Sequence, residues 1–148
     1  TLKGGRDLPI FSQIQSASRY GLLKSMADSV NGILMGTSSF WEGIDLSGDM
    51  LEILIITKLP FQVPSDPIVK AYGDKLSDNN INSFLNFTVP ECILKYRQGF
   101  GRLIRTSLDQ GIFIVLDNRI VTKRYGQQFE DAIPVEMQMF STLDSLIL

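Results

Sequence analysis

The 148 residues carry 44% hydrophobic and 20% charged side chains with a net charge of −2, an ordinary balance for one globular domain with its own core and unlike that of a disordered chain. Such a charge does not draw the whole domain to nucleic acid, so any polyanion must meet a local patch. There is no histidine, and Cys92 is the single cysteine, which excludes an internal disulfide, a zinc site and an imidazole base within this chain. No apolar run approaches the ~20 residues of a membrane span, and no signal sequence opens the chain. Thr1 in place of methionine reads as the start of a piece cut from a longer protein, and a cytoplasmic location follows by default.

Leu8 to Ile14, introduced by Gly4, Gly5 and Pro9, reads as a short strand. Ser16 or Ser18 then offers a cap for a helix over Ala17 to Val30. Tyr20, Leu23, Met26, Ala27 and Val30 form its apolar stripe. Asn31-Gly32 stops it, and Ile33 to Met35 form a brief buried strand. Strand, helix, strand is the signature of a parallel sheet under crossover helices.

Gly36 to Asp49 (GTSSFWEGIDLSGD) is a loop of small, hydroxyl and acidic residues at a strand's carboxyl end, the edge where open parallel sheets bind ligands. Leu51 to Thr57 (LEILIIT) is nearly all apolar, as in a central strand covered on both faces. Three prolines make Lys58 to Pro67 (KLPFQVPSDP) an extended or turning loop. Asp66 before Pro67 starts a helix reaching about Leu76. Ser77 to Thr88 reads as a polar excursion, and a helix from near Pro90 to near Arg105 follows. Asp109-Gln110-Gly111 turns the chain into the strand Ile112 to Leu116. A helix from about Thr122 to Ala132 ends at Pro134, and Val135 to Leu148 is an amphipathic tail with the pattern of one more helix. The expected fold is α/β and doubly wound, and the chain is expected to be one domain.

The Pro90–Arg105 helix separates into two arcs at about 100° per residue. Ile93, Tyr96, Phe100, Leu103 and Ile104 form an apolar arc, with Cys92 read as a small packed residue. Lys95, Gln98, Arg102 and Arg105 form the other. Gly99 and Gly101 inside the helix each cost about 1 kcal/mol relative to alanine, which implies a close backbone approach that offsets the cost. The arginine forks suit bidentate phosphate recognition and keep their charge, though a solvated basic face would share this pattern. In the Gly36–Asp49 loop, Thr37, Ser38 and Ser39 supply hydroxyls and N–H groups for phosphate oxygens. Gly43 permits a turn or a close approach. Glu42 and Asp45 suit ribose hydroxyls, a cation or the arginines, or they simply cap a turn. Phe40, Trp41 and Phe61 either stack bases or anchor loops to the core.

Taken together, GTSSFWEGID with the following LSGD, KLPF with Pro64, Asp66 and Pro67, and QGFGRLIR with Asp109 and Gly111 resemble the second motor domain of superfamily 2 helicases of the DinG/XPD group. The wording is closest to the bacterial DinG branch. Asp117, Arg119 and Tyr125-Gly126 extend the resemblance, which runs from about Gln13 to Pro134. It implies a RecA-like fold of the P-loop NTPase type. It also implies that Arg102 and Arg105 are arginine fingers toward the ATP γ-phosphate, with Gln98 sensing the nucleotide. Glu42, Gly43, Asp45 and Gly101 would line the nucleotide side. Thr37, Ser38 and Ser39 would touch single-stranded DNA, with Lys58 a phosphate contact or a solvated cation.

The same resemblance implies ATP with Mg²⁺ as ligands and the first motor domain of the parent as partner, with 5′ to 3′ polarity in the bacterial cytoplasm. No G-x-x-x-x-G-K-[ST] loop or DEAH-like box occurs in the chain, so the phosphate cradle and Mg²⁺ carboxylates must come from that partner, and the chain by itself is half an active site. The strand ahead of Leu8 is also missing, so the domain is expected to be truncated at its N-terminal edge. An iron–sulfur cluster in the parent is neither implied nor excluded. Two rivals stand beside the helicase reading. One is a nucleic-acid-binding module of an inactive motor that serves an attached domain such as a nuclease, and the other is a nucleotide-binding regulatory domain.

Overall fold

Two pairs of parallel strands organise the chain, each with a helix packed against it. The computed structural model describes residues 8–13, 18–37, 50–106 and 108–140. Strand β1 (Ile10–Ser12) pairs with β2 (Ile33–Met35) in the register Ile10 to Ile33, Phe11 to Leu34 and Ser12 to Met35. The crossover between them is α1 (Arg19–Ala27), whose N-cap Ser18 accepts from the Gly21 N–H at 3.1 Å. Helix α1 is shorter than its pattern predicts, and a different residue is buried. Tyr20 and Val30 are exposed, while Leu22, outside the predicted stripe, packs among Phe11, Leu23 and Leu34. Asn31 at φ 59° turns the chain into β2 after the helix has closed.

Strand β3 (Ile53–Ile56) pairs with β4 (Ile112–Val115), from Ile53 opposite Ile112 to Ile56 opposite Val115. The expectation of cover on both faces is not met among the described residues. Ile56 is 3% exposed, but Ile53 and Ile55 are 48% and 51% exposed, because alternate side chains point to opposite faces and the helix Val89–Leu103 packs on one of them. The core lies on that side. Ile56, Leu59, Val89, Cys92, Tyr96, Phe100, Phe129 and Ile133 form one cluster, laced by aromatic edges such as Tyr96 to Phe129 at 5.3 Å. The described residues thus form an α/β arrangement with parallel strands.

Helix α2 (Pro67–Asp78) starts as the Asp66-Pro67 pair dictates: Asp66 Oδ1 accepts from the N–H groups of Ile68 at 2.9 Å and Val69 at 3.3 Å. Asp66→Ala is expected to lower stability by about 1 kcal/mol through the lost cap, read as a shift of the thermal unfolding midpoint. The predicted excursion over residues 77–88 is largely helical instead. Helix α2 continues to Asp78, and after Asn80 at φ 57° a π-helical turn (Phe84–Thr88) feeds directly into α3 (Val89–Leu103). Its aromatic residues explain the difference, since Phe87 stacks on Tyr72 at 5.2 Å and Phe84 on Phe61 at 5.9 Å. Packing outweighs the polar composition of the neighbouring residues.

The single helix predicted over Thr122 to Ala132 is two short ones, α4 (Arg119–Thr122) and α5 (Gln127–Glu130). Between them Gly126 is buried and its N–H reaches the Lys123 carbonyl at 2.8 Å. A Cβ there would run into the Ile120 carbonyl, so the chain doubles back where only glycine fits. Residues 135–140 are irregular, and the remainder of the predicted tail helix lies outside the described residues.

Candidate functional site

Helix α3 positions the site because its apolar arc falls as predicted except at Ile104, which lies past the helix end. Tyr96, Phe100 and Leu103 are buried, joined by Val89 and Cys92. Burial pushes the Cys92 thiol up to about 12, so it stays protonated and unreactive. On the outer side Gln98 is exposed one turn before Arg102. Gly99 is buried, but Gly101 is exposed and a Cβ on it would meet nothing within 4 Å. The close approach expected of the glycine pair is therefore not made at Gly101 by any described part of this chain. Gly101→Ala is expected to raise thermal stability by up to about 1 kcal/mol, since it removes a helix-interior glycine without a clash.

Arg105 departs from its predicted place. Helix α3 ends at Leu103, and its C-cap Ile104 has an extended backbone (φ −117°, ψ 105°) while its N–H makes the last helical bond, to the Phe100 carbonyl. Arg105 therefore stands on the following turn and not on the helical arc of Gln98 and Arg102. Asp109 secures that turn. Its Oδ2 accepts from the N–H groups of Arg105 at 2.6 Å and Thr106 at 2.7 Å, and its Oδ1 accepts from the Thr106 hydroxyl at 3.1 Å. The Thr106 amide bond and then the Arg105 amide bond hold the Asp109 carboxyl below the usual carboxylate range.

The turn brings both arginines to one cleft. Arg102 and Arg105 line a cavity of about 300 Å³ with Leu51, Glu52, Asp109 and Gln110. Two guanidinium groups and two carboxylates make it polar. Leu51 and Glu52 precede β3 and Gln110 precedes β4, so the cleft lies at the amino ends of these strands.

Other predicted residues fall elsewhere. Gln98 is not among the residues lining the cleft. Thr37, just past the carboxyl end of β2, donates its N–H and its hydroxyl to Gln13 Oε1, both at 3.2 Å. Lys58 is exposed beyond the carboxyl end of β3, at the opposite end of the strand from the arginines. Phe61 is a core anchor: it packs on Phe84, Tyr125 and Phe129 and lies 4.9 Å beneath the Arg119 guanidinium. Ser38, Ser39, Phe40, Trp41, Glu42, Gly43 and Asp45 lie outside the described residues. Among the described residues there is no cluster of three or more metal-ligating side chains, and no helix long and apolar enough to cross a membrane.

Residues 2–136 match the helicase C-terminal domain family, a span that contains α3, the cleft and the Asp109 turn. The chain belongs to that family. Within it the relatives are of the DinG type. The chain is 43% identical to the ATP-dependent DNA helicase DinG of Photobacterium profundum over 121 residues, 79% of this chain and 18% of that protein. It is 39% identical to the ATP-dependent DNA helicase YoaA of Haemophilus influenzae over 117 residues, again 79% and 18%. With the 3′-5′ exonuclease DinG of Bacillus subtilis it shares 42% identity over 113 residues, 76% of this chain and 12% of that protein. The chain thus spans less than a fifth of the length of these three relatives.

A second polar element of this helicase C-terminal domain has no role assigned from sequence. Asp117, at the end of β4, is buried; its Oδ2 accepts from the Leu59 N–H at 2.8 Å and from Arg119 Nη2 at 2.6 Å, and Oδ1 accepts from Arg119 Nε at 2.9 Å. The clamp fixes the Lys58–Phe61 segment over the core. Its signal in the sequence is an acid directly after an apolar strand with an arginine two residues on, a pattern that shows an ion pair but not the distant Leu59 amide it also holds.

Proposed function

We propose that the chain is the second motor domain of an ATP-dependent DNA helicase of the DinG type. In that domain the two parallel strand pairs would belong to one doubly wound, RecA-like sheet. The observation that carries the reading is the convergence of Arg102 and Arg105 on one polar cleft, with the open backbone of Gly101 one residue before Arg102 in the chain. The guanidinium groups would stabilise the charge that develops as the ATP γ-phosphoryl passes to water. Gly101, with no Cβ, leaves room for the nucleotide, and Glu42, Gly43 and Asp45 complete that side. Gln98, exposed one turn before Arg102, would reach the nucleotide only when the first motor domain closes on this one. The Mg²⁺ that neutralises phosphate charge would be bound mainly by that first domain, which would supply the G-x-x-x-x-G-K-[ST] loop and acidic box that do not occur in this chain.

Thr37, Ser38 and Ser39 would contact the backbone of single-stranded DNA, with Lys58 at the next strand end. ATP-driven opening and closing of the two motor domains would then move the strand 5′ to 3′, in the bacterial cytoplasm. One relative is named an exonuclease, and that name supports a second reading, in which the motor is inactive and the domain is a nucleic-acid-binding module for an attached nuclease. ATPase activity of the full-length parent with and without single-stranded DNA separates them. Strong stimulation is the expected result. DNA binding without ATPase would move the assignment to the inactive module. Gly101→Ala is expected to lower the stimulated rate despite its more stable fold.

A further inference from the structure

We propose that Asp109 is the positioning residue for Arg105, and that its carboxylate, not helix α3, sets where that guanidinium stands in the cleft. Once Ile104 turns out of the helix, the backbone of Arg105 and Thr106 has no i−4 carbonyl ladder to hold it. The Asp109 carboxylate takes over, bonding both N–H groups through Oδ2 at 2.6 and 2.7 Å and the Thr106 hydroxyl through Oδ1 at 3.1 Å. The hydroxyl oxygen accepts in turn from the Leu108 N–H at 3.3 Å, and the Asp109 N–H returns to the Thr106 carbonyl at 3.3 Å. The turn is thereby closed on itself with Arg105 at its entrance.

Two further observations assign the role. Arg105, Thr106, Leu108 and Asp109 are exposed, and charge-assisted hydrogen bonds of this length are the strong kind. Both carboxylate oxygens are already engaged, which suits an anchor and leaves Asp109 poorly placed to take a proton from water. A guanidinium displaced by about 1 Å from its productive geometry is enough to cost ~100-fold in rate. Arg102 stands on helix α3.

The inference rests on the reading of Arg105 as a finger, and the test keeps the two apart. In the full-length parent, kcat and KM for ATP are measured at saturating single-stranded DNA for Arg105→Ala, Asp109→Ala, the double variant and Asp109→Asn. Asp109→Ala is expected to lower kcat by about 10- to 100-fold while KM and DNA affinity stay within about twofold. The double variant should be no slower than Arg105→Ala alone, because the anchor acts through the arginine. Asp109→Asn should regain most of the rate, since its amide oxygen can accept the same two N–H bonds. A double variant slower by the product of the single losses would overturn the positioning role, as would unchanged kcat in Asp109→Ala beside a loss in Arg105→Ala. Unchanged kcat in Arg105→Ala would remove the finger reading, and the positioning role with it.

Discussion

Arg102→Ala in the full-length parent is expected to lower DNA-stimulated ATP hydrolysis by about 10³-fold or more, with single-stranded DNA affinity nearly intact. A positioned guanidinium acts where charge develops in the transition state, inside a site that excludes water, so its loss appears in rate before it appears in binding. Arg102 is half-buried on the last turn of a helix whose opposite face is locked by Tyr96, Phe100 and Leu103. Its backbone is thus as fixed as the core, and alanine, the best helix former, leaves that core in place. Lysine at the same position should recover little, because a single ammonium cannot reproduce a planar fork. Steady-state ATPase and a DNA-binding titration on the same preparations decide the matter. Equal loss of rate and DNA affinity would sink the assignment, since it would place Arg102 on the DNA track.

The largest effect on stability is expected at Asp117. Its side chain is 7% exposed and receives the Leu59 N–H and the Arg119 side chain. Asp117→Ala removes the acceptor for an amide on a residue only 3% exposed and leaves a guanidinium without its carboxylate. Breaking a fully buried pair costs about 3–5 kcal/mol. The Arg119 side chain is 38% exposed and can regain water, so a loss of about 2–4 kcal/mol is expected here. Asp117→Asn should fall between, because it keeps an acceptor for Leu59 and loses the charge.

A pH dependence follows from the same pair. The Arg119 hydrogen bonds, opposed by burial and aided by the Leu59 amide, lower the Asp117 carboxyl from 3.8 to about 2. A depressed carboxyl stabilises the fold fully above its unfolded value and loses that contribution as pH falls through its folded one. The stabilisation should therefore be complete above pH 3.8 and fade toward pH 2. Thermal unfolding across that window, with the Leu59 amide followed by hydrogen exchange, checks both the pair and its reach. An Asp117→Asn variant that melts with the same acid dependence as the parent sequence would show that another group governs it.

Much of the local structure is legible in single stretches of residues. Asp66 before Pro67 names a helix start because an oxygen three atoms from the backbone suits the first free N–H groups, and proline has none to lose. The three- and four-residue spacing of Tyr96, Phe100 and Leu103 names a buried helix face because the backbone repeats every 3.6 residues. Periodicity misled where it met a neighbour it could not foresee. Leu22, outside the predicted stripe of α1, becomes its buried residue because Phe11 and Leu34 arrive beside it. The helix expected over Thr122 to Ala132 breaks because Gly126 lies against the Ile120 carbonyl.

The sequence by itself determined the parallel α/β elements, the arginine-bearing helix and the family to which they point, since each is encoded in residues close together along the chain. Tertiary structure decided which arginine stands on the helix and which on the turn, and that both reach one cleft at the amino ends of β3 and β4. It also decided that Asp117 holds an amide 58 residues away. A hydrogen bond over that separation leaves no periodic trace, because it depends on where two strands stop and not on what lies between them.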